Sequence, residues 1–175
     1  MLRPLAPENN VLVDASVQAH AGDTVERRFQ ASQLPRLSEA GIAEPADIRL
    51  SIRFSNVDGR VAMDGQLDGF VTMMCQRCMQ PAKIDVSDEF QLVIVDSEPE
   101  RLEQEEASGG YEPVAADPAR LDLRWLAEEQ TLLSVPLVPK HADENCVAVV
   151  TKPDQKEAGT TQRPFANLRD MLRDR

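Results

Sequence analysis

Four side chains in this sequence have the types and spacing to bind a metal. Cys75-Gln76-Arg77-Cys78 brings two thiols within one turn, and more than sixty residues later His141 and Cys146 follow with four residues between them. The chain has three cysteines and two histidines, so these four residues use all of the former and one of the latter. Soft ligands arranged as two close pairs suit a tetrahedral zinc ion, and three thiolates with one imidazole make a closed, structural set. Two other readings stay open at this level. A CxxC can also run thiol–disulfide exchange, or the residues can be small apolar side chains at strand ends with a surface histidine nearby. Redox CxxC motifs open a helix after a strand, whereas Met79-Gln80-Pro81-Ala82-Lys83-Ile84 leads back into a strand-like pattern. The clip reading is therefore preferred: Cys75, Cys78, His141 and Cys146 are expected to hold a structural zinc.

Strands must position the first pair. Ile48, Leu50, Ile52 and Phe54 alternate with polar residues, as do Val61, Met63, Leu67, Val71 and Met73, and then Ile84, Val86, Phe90, Leu92 and Ile94. Period-two alternation marks half-buried strands, and the last two runs flank the CxxC directly, so it sits at a hairpin tip. Asp58-Gly59 reads as a tight hairpin turn. Gly65 and Gly69 fall on the apolar phase of their run and suggest a bend or bulge. Thr24–Phe29 is a further strand candidate. Helices are expected over Gln33–Ile42, ending at Glu44-Pro45, and over Leu121–Leu133, with Leu121, Trp125, Leu126, Leu132 and Leu133 on its apolar stripe. Pro136 and Pro139 keep the next segment extended and deliver His141 to the surface. No βαβ alternation is present, so the expected fold is α+β: an antiparallel, strongly curved sheet, barrel-like in the limit, with two or three helices.

Length and composition bound the rest. At 175 residues the chain is expected to form a single domain over 1–175, with an acidic loop at about 97–119 and a polar loop at about 151–163. No run approaches the roughly 18 apolar residues of a membrane span. Met1 to Glu8 hold no apolar stretch of signal-peptide type, so a cytoplasmic location is expected. The net charge is −11, and Asp96–Glu129 alone contributes −8 of it, eleven carboxylates against three arginines. Such a balance opposes broad phosphate neutralisation and favours a basic partner. Aromatic residues make up 4% of the chain, too few for a stacking platform. Arg49, Arg53 and Arg77, with the arginine-bearing tail Arg163–Arg175, offer a small basic surface as the one route to direct RNA contact. His20 stands alone in a polar stretch. No glycine-rich phosphate loop or fixed carboxylate pair is visible, so no small-molecule substrate and no enzymatic activity are expected. A thiol or metal-dependent enzyme built on the CxxC remains the alternative in that class.

Four passages resemble the bacterial and plastid YceD family. Gly69–Pro81, with Cys75-Gln76-Arg77-Cys78 at its centre, looks like that family's strand and C-Q-R-C-L-x-P turn. Leu121-Asp122-Leu123 through Glu129 looks like its helix, Leu132–His141 like its L-x-L-P-x-V-P-x-H segment, and Arg163-Pro164-Phe165-Ala166-Asn167-Leu168 like its terminal element. Met79 stands where leucine is usual, and Arg163 replaces asparagine before Pro164. The resemblance implies a non-enzymatic role in accumulation of large-subunit (23S) ribosomal RNA. With the acidic charge, this makes a basic ribosomal protein or a pre-50S assembly intermediate the expected partner, and ribosomal RNA itself the second.

Overall fold

The long alternating runs become three fifteen-residue strands. The structure, a computed structural model, describes residues 11–96, 110–143 and 146. In chain order the elements are β1 (Leu12–Val13), α1 (Ala15–Ala21), β2 (Thr24–Gln30), α2 (Pro35–Glu39), β3 (Ala43–Val57), β4 (Arg60–Met74), β5 (Pro81–Val95), β6 (Glu112–Ala115), β7 (Leu121–Asp122) and α3 (Leu123–Ser134). One sheet has the order β2-β3-β4-β5-β6, antiparallel except for the parallel β5–β6 pair; β1 and β7 form a separate antiparallel pair. The fold is mixed α+β. The sheet does not close into a barrel, because β2 and β6 are its two edges.

Register explains why the pattern was legible. Ile52 pairs with Gly65 and Gly65 with Phe90, while Leu50 pairs with Leu67, so the apolar phases of three strands share one face. That face is covered by α1, which packs on β3 and β4, and by α3, which packs on β3, β4 and β5. Phe54, Ile48, Leu50, Ile52, Met63 and Leu67 are fully buried between the layers. Asp58 and Gly59 both take positive φ in the two-residue turn that joins Val57 to Arg60, as the right-handed twist of a hairpin prefers.

The glycines do not bulge β4. Its register with β5 runs unbroken from Ala62 to Met74, and the irregularity lies on β3, between Ala43 and Asp47. Gly65 instead makes room for an aromatic ring: a Cβ there would stand 2.0 Å from Phe90.

Three expectations change. The second helix is short, Pro35–Glu39, because Pro35 can begin a helix but not continue one, and Gly41, with φ 80°, ends it before Glu44-Pro45. Leu133, assigned to the apolar stripe, is exposed. The acidic stretch 97–119 is structured at its end, where β6 pairs in parallel with Leu92–Val95 and a 3-10 turn spans Pro118–Arg120; residues 97–109 and the polar stretch 151–163 lie outside the described residues. Helix α1, capped by the Asp14 side chain on the Val17 N–H and ended by Gly22 with φ 66°, was not anticipated from the pattern.

Two carboxylates counted with the acidic surface turn out to be structural. Glu128 is buried and accepts from the Arg36 N–H at 2.8 Å, capping α2, whose N-cap residue Leu34 offers no side-chain acceptor. Glu129 receives the Arg36 guanidinium at 2.7 Å. Glu128→Ala is expected to lower the unfolding free energy by about 1–3 kcal/mol, because a buried donor loses its acceptor, while Glu128→Gln retains most of it. Urea titration of the three proteins reads the difference.

Candidate metal centre

The β4–β5 connection forms a tight knuckle. The Cys75 N–H donates to the Gln80 carbonyl at 2.9 Å, and the Met79 N–H to the Cys75 carbonyl at 2.9 Å. Met79 completes the turn with φ 57°, a left-handed conformation that costs a side-chain-bearing residue and that only a well-determined turn sustains. These bonds point the two sulfurs of Cys75 and Cys78 out of one loop.

The second pair arrives along the extended segment after α3. Val135 ends that helix, and Pro139 offers its carbonyl to the Gln76 N–H at 2.9 Å. This bond lays the segment against the knuckle just before His141. Four ligand atoms then converge, one each from Cys75, Cys78, His141 and Cys146, all within 4.8 Å of one another. The Sγ atoms of Cys75 and Cys146 are 3.6 Å apart, and Cys78 Sγ lies 3.4 Å from His141 Nδ1. Bond lengths of about 2.3 Å to sulfur and 2.0–2.1 Å to nitrogen, at tetrahedral angles, require roughly 3.8 and 3.6 Å for the same separations. The donor set therefore fits a tetrahedral ion.

Surrounding bonds support that geometry. His141 Nε2 lies 3.0 Å from the Pro81 carbonyl, which can only accept, so Nε2 carries the proton and Nδ1 keeps its lone pair for the centre. Metal-bound histidines are oriented by the same kind of partner. The Arg77 N–H donates to Cys75 Sγ at 3.4 Å, and its guanidinium donates to the carbonyls of Cys146 at 3.3 Å and Asp143 at 3.5 Å. Arg77 thus links the first ligand to the loop that supplies the fourth. Cys75 is buried, and Cys78, His141 and Cys146 are half-buried.

The thiols are electrostatically unequal. Burial works against the Cys75 thiolate, but hydrogen bonds from the backbone at Cys78, Arg77 and His141 and from the Cys146 thiol bring its pKa down to about 5. Cys146 moves the other way: burial, its hydrogen bonds to Cys78 and Cys75, and their charge push it up to about 12. A cation bound among them would displace the protons the thiols keep.

All four residues singled out from the sequence meet here. The three arginines offered as a basic surface do not come together: Arg77 stands at the knuckle and the other two do not. Arg49 and Arg53 lie on the solvent face of β3, opposite Asp68 and Asp64 of β4. The six steps along β4 from Asp68 to Met74 put about 20 Å between that row and the knuckle. His20 is remote as well, its ring on the Ser16 carbonyl within α1. The residues that sequence reasoning passed over are those around the ligands, Pro81, Pro139 and Gln80, which act through backbone carbonyls and so leave no side-chain signature.

Comparison with known proteins adds the lineage. Residues 63–172 match the family described as "Large ribosomal RNA subunit accumulation protein YceD". The chain belongs to the YceD family. A YceD relative with that same description, from Haemophilus influenzae, is 31% identical over 152 residues, covering 82% of this chain and 84% of its own. No solved structure matches the chain. The YceD match takes in both halves of the ligand set, the knuckle and the His141–Cys146 segment.

Because Arg77 ties the two halves together, Arg77→Ala is expected to weaken the cluster's affinity for an added metal ion about 10–100-fold, as loss of an outer-shell partner does elsewhere. Competition against a chromophoric chelator measures it. A change of less than twofold would show that Arg77 plays no part in closing the centre.

Proposed function

We propose that this chain is a non-enzymatic, cytoplasmic factor that supports accumulation of large-subunit (23S) ribosomal RNA by holding a basic ribosomal protein, or an assembly intermediate that carries one. The observation that carries this reading is the concentration of negative charge in one stretch, Asp96–Glu129, where eleven carboxylates stand against three arginines. Along β5, the fourteen steps from Pro81 to Val95 span about 46 Å. The ligand cluster stands at the Pro81 end. At the other end are Asp58 at the hairpin turn, Asp96 after β5 and Asp117 at the cap of the 3-10 turn. From that end the chain continues into Glu98, Glu100, Glu103, Glu105 and Glu106. A concentrated negative segment offers steering and patch complementarity to a cationic protein and repels phosphate. The described relative's name supplies the ribosomal context.

In the same reading Cys75, Cys78, His141 and Cys146 hold a structural zinc. Four protein ligands fill a tetrahedral ion and leave no position for substrate, which favours a clip over a thiol or metal-dependent enzyme. Among the described residues no helix is long and apolar enough to cross a membrane. Direct RNA binding is the less favoured alternative, since Arg77 is committed to carbonyls and Arg49 and Arg53 face carboxylates across the sheet.

Affinity purification from cells at low salt, with both protein and RNA identified, tests the partner. A basic ribosomal protein should be recovered at low ionic strength and lost towards 1 M salt, where the Debye length falls to about 3 Å. Replacing Glu98, Glu100, Glu103, Glu105 and Glu106 by Gln should abolish the capture. Recovery of RNA that survives protease digestion and these replacements would instead select the RNA reading.

Metal analysis of protein purified without chelator tests the centre, with about one zinc per chain expected. Zinc at about 100 times its Kd should raise the unfolding free energy by about 2.7 kcal/mol. Cys146→Ser should abolish that gain while leaving the metal-free stability unchanged.

A further inference from the structure

Three backbone bonds of 2.9 Å fix the knuckle: the Cys75 N–H to the Gln80 carbonyl, the Met79 N–H to the Cys75 carbonyl and the Gln76 N–H to the Pro139 carbonyl. Cys146 is held less firmly. Its N–H reaches the Asp143 carbonyl at 3.4 Å, and its own carbonyl accepts from the Arg77 guanidinium at 3.3 Å. Both are longer than an ordinary N–H···O bond. All three cysteines are free thiols. The sulfurs of Cys75 and Cys146 stand 3.6 Å apart, whereas the Cys78 sulfur is engaged with His141 Nδ1 at 3.4 Å. A disulfide needs about 2.05 Å, so the Cys75–Cys146 pair has about 1.5 Å to close. The loosely held partner is the one free to close it.

We infer that Cys75 and Cys146 are a peroxide-oxidisable pair, whose disulfide replaces a metal ion as the clip between the knuckle and the segment carrying His141. This differs from thiol–disulfide exchange by a CxxC, because the bond joins two distant segments. A bond from Cys75 to Cys78 would have to form inside a turn that the backbone already fixes. Oxidation takes two displacements. One sulfur of the pair attacks a peroxide oxygen: an S–O bond forms, the O–O bond breaks, and the departing hydroxide leaves as water with that thiol's proton. The other sulfur attacks the resulting sulfenic acid: the S–S bond forms, the S–O bond breaks, and the second hydroxide leaves as water with the second proton. Two thiols have then lost two electrons and the peroxide has become two waters. Cys146 is half-buried, which gives so small an oxidant a way to the pair. In a reducing compartment the pair stays as thiols until an oxidant appears. Once it is oxidised, only Cys78 and His141 remain as donors, too few for a tetrahedral ion. That consequence rests on the zinc reading above; the disulfide itself does not.

Peptide mapping of the full chain tests the pair. Metal-free protein is treated with hydrogen peroxide, blocked with an alkylating agent and digested with trypsin in the absence of reductant. Cleavage after Arg77 and Lys140 leaves the three cysteines on three separate peptides. The expected product links the Cys75 and Cys146 peptides of one chain and leaves Cys78 alkylated. Cys78→Ser should form the same link at the parent's rate. The oxidised chain should take up no zinc, and dithiothreitol should restore the uptake. Absence of any disulfide, a Cys75–Cys78 or Cys78–Cys146 link as the main product, or a link between two chains would each overturn the proposal. So would loss of the Cys75–Cys146 link in Cys78→Ser, or zinc uptake that oxidation leaves unchanged. If the reduced chain takes up no zinc, the zinc reading fails by itself, and the mapping still decides the disulfide.

Discussion

The hydrogen bond from the Gln76 N–H to the Pro139 carbonyl joins two segments more than sixty residues apart in the chain. On one side it has a hairpin loop whose own backbone bonds set the directions of two sulfurs; on the other, an extended strip held straight by its prolines. Once the two lie together, His141 and Cys146 are carried to the open side of the loop, and every contact of the ligand cluster depends on that juxtaposition. The Arg77 guanidinium and the His141 ring then add bonds that would have no partner if the strip lay elsewhere. A metal ion in this place would lock an arrangement that the backbone already approaches, so its contribution is to retain the strip and not to create it.

That arrangement depends in turn on the sheet behind it. Strands β4 and β5 pair over thirteen consecutive positions, and the knuckle is the end of that ladder. Gly65 matters here although it is far from the cluster, because only a missing side chain lets the Phe90 ring lie over β4 without breaking the ladder. Helix α3 fixes where the strip begins. It is pinned to α2 by Glu128 and Glu129, so two carboxylates inside a strongly acidic stretch serve the core and not the surface.

The family relationship and the physical reading are complementary. Membership in the YceD family supplies a ribosomal context through its described relatives. The structure adds a cluster of four ligand atoms, from Cys75, Cys78, His141 and Cys146, that could hold a metal ion.

Much of this was legible in the residues alone. Period-two alternation identified β3, β4 and β5 and the face each buries, because a strand's side chains alternate whatever it pairs with, and Asp58-Gly59 marked the turn between the first two. The four ligands were legible because cysteine and histidine are scarce here and chemically unlike their neighbours. Other features are properties of the folded chain. The parallel pairing of β6, the open edges of the sheet and the brevity of α2 come from contacts between distant segments, and a four-residue strand leaves almost no periodic signal. The burial of Glu128 could not be read from a charge count, because the same carboxylate is a solvated charge or a helix cap depending only on what packs against it. Residue type and spacing decided which groups can bind; the packing of α3 and the sheet decided which of them come within reach.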